Sequence, residues 1–331
     1  MSEMMKISIK ELAKFSICPG HLYLQTSSER QFYLMKPGMY IDKNFLNKHL
    51  NLQTEFELNP IISVQIQDEF FRLLKEFNYL HFEMDIRKKC REIIVYFSKI
   101  FTSESHFLNF AIPCFQHFNN LHPAYLQVMS DVDVYLLRKA IYSAAFSVLI
   151  SFCNGIYHPL MVKDIYNLTL SLDIGLCRKN YSYFVAQACN EENKNPGNGM
   201  KWLQQEKATP EEIDIFLSHP NESYKLYEQG KIKLLHRELA QIILYQHELS
   251  NGKGFPRGIK KGLVSSWESV VILADSLVGI EKEFDFENRV IEFLYQFESK
   301  KLKNLPLNKI YQRLSHSLKG LENEVQEDLT A

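Results

Sequence analysis

Gln246–Gly258 reads QHELSNGKGFPRG: a histidine and a glutamate at the mouth of a loop with three glycines and one proline. Glycine permits backbone angles closed to other residues, and proline stiffens the exit, so Gly252, Gly254 and Pro256 describe a tight, shaped turn. By itself His247 reads as a metal ligand or as an ordinary packed histidine. Upstream, TPEEIDIFLSHP (Thr209–Pro220) is a clear helix start. Thr209 is the N-cap, Pro210 takes the first helical position and Glu212 closes a capping box. Ile213, Phe216 and Leu217 then face a core, and His219-Pro220 ends the motif. Earlier still stands LSLDIG (Leu170–Gly175), and downstream VILADSLV (Val271–Val278).

Each of the four stretches offers one candidate ligand near a helix end: Asp173, His219, His247 and Asp275. Two imidazoles and two carboxylates suit a divalent iron, manganese or zinc ion. Taken singly each residue has a plainer reading: a solvated or capping aspartate, a histidine before a helix-ending proline, a satisfied core histidine. Order and spacing carry the stronger reading.

The rest of the chain sets the frame. It has 331 residues, 46% of them hydrophobic, and a formal net charge of -1, so no global attraction to a nucleic-acid polymer or anionic membrane is expected. Six scattered cysteines form no C-x-x-C pair, which speaks against a disulfide framework and a zinc ribbon. No apolar leader opens the sequence, and the run AIYSAAFSVLISF is too short for a bilayer, so a cytoplasmic protein with a buried core helix is expected. HLYLQTSSERQFYLMKPGMYI alternates around a Ser-Ser-Glu-Arg turn and predicts a hairpin, with Pro37-Gly38 as the next turn. Asp42 is placed to cap a short helix, KNFLNKHL. From residue 64 the period becomes helical: Phe70, Leu73, Leu74 and Phe77 share a face, as do Ile93, Phe97 and Ile100, and Leu137, Ile141, Ala144 and Leu149. Residues 190–207, polar and punctuated by Gly and Pro, predict a surface loop.

Together the four stretches resemble the HD-GYP family, phosphodiesterases of cyclic di-GMP within the HD-domain superfamily. The resemblance covers about residues 130–280 and is most specific at QHELSNGKGFPRGI. It implies a mainly α protein: an HD-type helical bundle behind a small N-terminal α/β module. The expected organisation is 1–62 for that module, 63–129 for a helical connector, 130–320 for the HD-GYP-like domain and 321–331 for an acidic tail.

The departures from the family pattern fall on its chemistry. Leu172 stands where the family has the histidine of its His-Asp pair. Leu176 replaces a lysine, Gln246 the first of two consecutive histidines, Phe255 the tyrosine of the name motif, and Asn251 an aspartate. No histidine lies between His122 and His158 to serve as an upstream ligand. Hydrolysis on two metals needs a bridging hydroxide between ions about 3.5–4 Å apart, and these losses remove nitrogen donors and a cation. The remaining set leaves open one divalent ion, iron or manganese, or none. The resemblance therefore implies a degenerate member acting by protein interaction in cyclic di-GMP signalling. The alternatives are an active phosphodiesterase with a reduced metal site and a sensor that binds the nucleotide without cleaving it. The loop Asn251, Gly252, Lys253, Gly254, Phe255, Pro256 and Arg257 is the expected contact surface for a partner such as a diguanylate cyclase domain. Phe255 is either its exposed anchor or packed inward.

Overall fold

The computed structural model describes residues 4–25, 31–50, 55–62, 64–79, 104–153, 155–156, 158–248, 252–259 and 265–280, with Asp85 and Lys88. The N-terminal module is a four-stranded antiparallel sheet of β1 (Met5–Ser8), β2 (Gly20–Gln25), β3 (Gln31–Met35) and β4 (Glu55–Pro60), in the order β1-β4-β2-β3. The expected hairpin is β2–β3, which pairs Tyr23 with Tyr33 and Leu24 with Phe32. Two helices complete the module, α1 (Ile9–Leu12) and α2 (Lys43–Leu50). The Asp42 carboxylate accepts the Phe45 N–H at 2.6 Å, as a cap should. Ile7, Leu12, Leu22, Phe56 and Leu58 form the module's own apolar cluster. At the Pro37-Gly38 turn, Gly38 has φ +79° and lies so close to the Tyr142 ring that an added Cβ would come within 2.2 Å of its hydroxyl. The missing side chain therefore lets the module seat against the bundle.

Among the described residues from 64 to 280, α-helices and short 3-10 turns are the only regular elements. They are α3 (Val64–Tyr79), α4 (Glu104–Phe118), α5 (Pro123–Val132), α6 (Val134–Cys153), α7 (Pro159–Ser171), α8 (Tyr183–Lys194), α9 (Asn198–Gln205), α10 (Pro210–Glu228), α11 (Gln241–Tyr245) and α12 (Ser266–Ser276). Phe70, Leu73, Leu74 and Phe77 are buried, as are Leu137, Ile141, Ala144 and Leu149, so these two predicted faces are core. Ile93, Phe97 and Ile100 lie outside the described residues. Helices α3 and α4 bury their apolar faces in the same cluster as α6, α7 and α12.

Helix α6 is apolar on nearly all sides, and such a helix belongs at a centre. It packs against α4, α5, α7 and α12. Its Val134–Phe152 segment has the length and composition of a membrane span, but 89% of it is enclosed by the rest of the fold.

Two expectations are corrected. Residues 190–207 are not a loop: α8 runs to Lys194 and α9 starts at Asn198, leaving only a short turn between them. Glu192 explains this. Its buried carboxylate accepts the N–H groups of Gly197 and Gly199 at 2.8 and 3.1 Å, so a residue that looks solvated in sequence caps the next helix. The second correction concerns Pro220, which does not stop its helix. The Thr209 capping box forms as expected, and α10 continues through Pro220 to Glu228. Proline lacks the N–H that would bond the carbonyl four residues back, that of Phe216. His219 Nδ1 takes that carbonyl instead, at 2.6 Å.

Candidate functional site

The four sequence-selected residues meet in the bundle interior, in company that the sequence analysis did not foresee. Lys139, on α6, is 1% exposed. Its ammonium donates to Asp173 Oδ2 and, at 2.7 Å, to Asp275 Oδ1. Asp173 follows the C-terminus of α7, and Asp275 lies one residue from the end of α12. Both carboxylates therefore sit where the helix dipole is negative, which raises the local need for a cation. His219 Nε2 is 3.7 Å from Asp173 Oδ1, beyond hydrogen-bond length. It lies 3.1 Å from His247 Nε2 and 3.3 Å from Gln246 Nε2. The set is thus continuous from Asp275 through Lys139, Asp173 and His219 to His247 and Gln246.

Proton positions follow from these partners. A carbonyl only accepts, so the Phe216 contact places a proton on His219 Nδ1. Burial pushes the His219 pKa down to about 4, leaving its ring neutral at pH 7 and Nε2 bare. That lone pair accepts from His247 Nε2–H and from the Gln246 amide. Burial, and then the neighbouring His219, hold His247 well below its ordinary value. Burial pushes Asp173 up, but Lys139 outweighs it with help from His219, and the carboxyl lies below its usual range. For Asp275 burial wins over Lys139, lifting it to about 6. Burial also works against the Lys139 charge; the two carboxylates overcome it and hold the ammonium protonated.

These shifts set a pH dependence. A histidine depressed on folding adds stability that is complete above its unfolded value near 6.5 and is lost as pH falls toward its folded value. Four histidines act in this sense: His219 and His247 in the cluster, His49 and His117 elsewhere. Asp275, raised on folding to about 6, and Glu192, also raised by burial, act in the opposite sense. With four groups against two, the denaturant midpoint is expected to fall between pH 7 and pH 5. An equal or higher midpoint at pH 5 would contradict neutral buried imidazoles.

The other selected residues fall into place around this cluster. Leu172 and Leu176 are buried at 1% and 0% exposure in the apolar core, flanking Asp173. Gln246 is also buried, and its Oε1 finds no hydrogen-bond partner among the described residues. Gly175 explains the LDIG stretch: its N–H donates to Ser223 Oγ at 2.8 Å, and that hydroxyl donates to the Leu172 carbonyl at 2.7 Å. This pins the Asp173 turn to α10, the helix that carries His219.

Phe255 is packed inward. Its ring stacks on His247, with centroids 4.5 Å apart and planes 15° apart, and meets Phe216 at 4.8 Å. It therefore roofs the imidazole pair and is not a free anchor. Glu248 shapes the loop by accepting the N–H groups of Arg257 and Ile259 at 2.7 and 2.8 Å. Positive φ falls at Gly252 and Gly258, so Gly258 takes the special conformation expected of Gly254. Lys253 and Arg257 are exposed; Asn251 lies outside the described residues.

The residues present do not fit a metal ion at this cluster. Among the described residues, no group of three or more His, Cys, Asp and Glu side chains is arranged to hold one. The reason is visible at Lys139: its ammonium stands between the carboxylates that would face an ion, and the His219 lone pair is already engaged. Sequence reasoning missed Lys139. The available signal was a charged residue directly before the apolar run AIYSAAFSVLISF, inside one helical stretch, where burial would demand paired carboxylates.

Fold and site together define a mainly helical bundle with a charged cluster at its centre. The sequence profile of the family described as "HD domain" matches residues 198–277. His219, Gln246, His247 and Asp275 lie inside the matched segment, and Lys139 and Asp173 upstream of it. Among solved structures the chain is similar to Bd1817, a HDG"Y"P protein from Bdellovibrio bacteriovorus, at 13% identity. That similarity covers 96% of this chain and 100% of the other, with a TM-score of 0.40. No curated protein matches the chain at a significant level.

Proposed function

We propose that this protein is a degenerate HD-GYP-type protein that does not hydrolyse cyclic di-GMP and acts by protein interaction in signalling linked to that nucleotide, in the cytoplasm. The observation that carries the reading is the Lys139 ammonium between Asp173 and Asp275. Metal-assisted hydrolysis requires those carboxylates for ions, and here a side chain neutralises them. Leu172, Leu176 and Gln246 support the same reading, since each stands where the family pattern supplies a ligand or a phosphate-facing cation. The rival, a phosphodiesterase with a reduced metal site, would need Lys139 to leave the cluster and expose buried carboxylates. The partner-facing surface is the Gly252–Arg257 loop, whose exposed Lys253 and Arg257 suit an acidic patch on a partner such as a diguanylate cyclase domain.

The test uses protein purified without oxygen and incubated with cyclic di-GMP and either iron or manganese. No linear product is expected, because metal activation of water and charge stabilisation each supply several kcal/mol of the barrier reduction. The same preparation, titrated with a cyclase domain, is expected to bind it. Turnover that disappears in Asp173→Ala would overturn the non-catalytic reading.

A further inference from the structure

We infer that strand β3 is a dimerisation edge: two copies of this chain pair β3 with β3 antiparallel, on a two-fold axis through Phe32, and join their two four-stranded sheets into one. The inference concerns the N-terminal module and does not depend on the reading of the charged cluster in the bundle. The sheet order β1-β4-β2-β3 leaves two edges. Edge β1 carries Lys6, and a charge on an edge strand discourages strand addition. Edge β3 reads Gln31-Phe32-Tyr33-Leu34-Met35, with no charge, glycine or proline. Among the described residues no strand pairs with its outer side, and Phe32 and Tyr33 are 53% and 44% exposed. An uncharged, exposed edge is a template for another strand.

Three observations fix the occupant and the axis. The first is the cross-strand row Ile7–Phe56–Leu24–Phe32, whose neighbours are register partners throughout. Ile7 and Phe56 are core, at 4% and 0% exposure, and the row ends at half-exposed Phe32. A two-fold axis at Phe32 sets that ring against its own copy and continues one apolar row through both sheets. On the opposite face Tyr33 then stands across from Gln31 of the second copy, so no like charges meet. The second is a bulge. Leu22 pairs with Met35 while Tyr23 pairs with Tyr33, so Leu34 is an extra residue on the edge strand. Regular pairing is confined to Gln31–Tyr33, and the centre of that stretch is Phe32. The third is direction. β3 runs toward the Pro37-Gly38 turn that seats on Tyr142. Antiparallel pairing therefore places the two bundles at opposite ends of the joined sheet, whereas parallel pairing would bring them to the same end. So short a pairing is a weak one, and the dimer is expected to dissociate on dilution.

The experiment traps the pair. Phe32→Cys places a thiol on the axis, where the two sulfurs meet at disulfide range. Under mild oxidation it is expected to form a covalent dimer at least about tenfold faster than Tyr183→Cys, whose site on α8 is more exposed, at 69%, but has only collision to bring two copies together. In sedimentation, wild type is expected to show a dimer that dissociates on dilution. Phe32→Lys is expected to keep the wild-type circular dichroism spectrum and to stay monomeric at every concentration, since it sets two ammonium groups face to face. Capture of Phe32→Cys no faster than that of Tyr183→Cys overturns the inference, as does a wild type that stays monomeric up to its solubility limit. A wild-type dimer that persists in Phe32→Lys overturns it too, because another surface would then hold the copies together. Oligomers that grow beyond two copies also overturn it, since they would mean head-to-tail addition of β3 to β1. None of these outcomes touches the non-catalytic reading, which stands or falls on turnover of cyclic di-GMP.

Discussion

Lys139→Met is expected to lower stability by about 3–5 kcal/mol, the cost of leaving a buried charge without its partner. Methionine keeps much of the length and apolar volume of the lysine stem, so packing changes little and the loss reports the charge. A surface ion pair would be worth at most about 1 kcal/mol, because water solvates both partners when the pair is broken. Here Lys139 is 1% exposed and its carboxylates 4% and 6%, so water is not available to take over. Denaturant midpoints of the two proteins give the number directly. Adding Asp173→Asn and Asp275→Asn to Lys139→Met removes the stranded charges and is expected to recover a large part of the loss. A drop below about 1 kcal/mol would mean the cluster is wetter than the structure places it.

The balance at this cluster also explains how much of the protein could be read from its sequence. The N-terminal hairpin, the Thr209 capping box and the buried faces of α3 and α6 were legible because each is encoded locally, by alternation, helical period or a fixed offset. Four site residues spread over a hundred positions were legible because each sits in a recognisable stretch. Lys139 was not, because its partners lie 34 and 136 residues away and nothing in its own neighbourhood announces them. Glu192 failed for a related reason. Its capping bonds reach forward across a Gly/Pro turn, so the polar composition that suggested a loop is the chemistry of two helix ends joined closely. Pro220 shows the limit of a local rule. The proline removes one backbone bond, and the adjacent histidine replaces it at the same carbonyl, so a residue pair that looks like a stop is part of a continuous helix.

Phe255 is instructive in the other direction. The sequence left open whether the ring faces out or in, since both are compatible with a Gly-Lys-Gly-Phe-Pro turn. The structure turns it onto His247, and the physical reason is the neutral imidazole beneath: its ring presents a flat, weakly polar face that an aromatic covers well, while His219 meets both rings edge-on.

Gly175→Ala is expected to be the most damaging substitution of a small residue near the site. An added Cβ would lie 2.2 Å from the His219 carbonyl oxygen and 2.8 Å from both the nitrogen and the hydroxyl oxygen of Ser223. Two of those three atoms are backbone, so no rotamer change relieves the clash; the Asp173 turn and α10 must separate. Such overpacking costs about 1–3 kcal/mol or more when backbone has to move. Separation breaks the Gly175–Ser223 and Ser223–Leu172 hydrogen bonds and carries Asp173 away from His219. The expected result is a lower denaturant midpoint together with a changed His219 environment, visible as a shift of its ring resonances in NMR spectra. The control is Ser223→Ala, which removes the same two hydrogen bonds without forcing the backbones apart. It should cost less and leave the His219 resonances near their wild-type positions. Equal effects from the two variants would mean the hydrogen bonds, and not the close approach at Gly175, hold the turn against the helix.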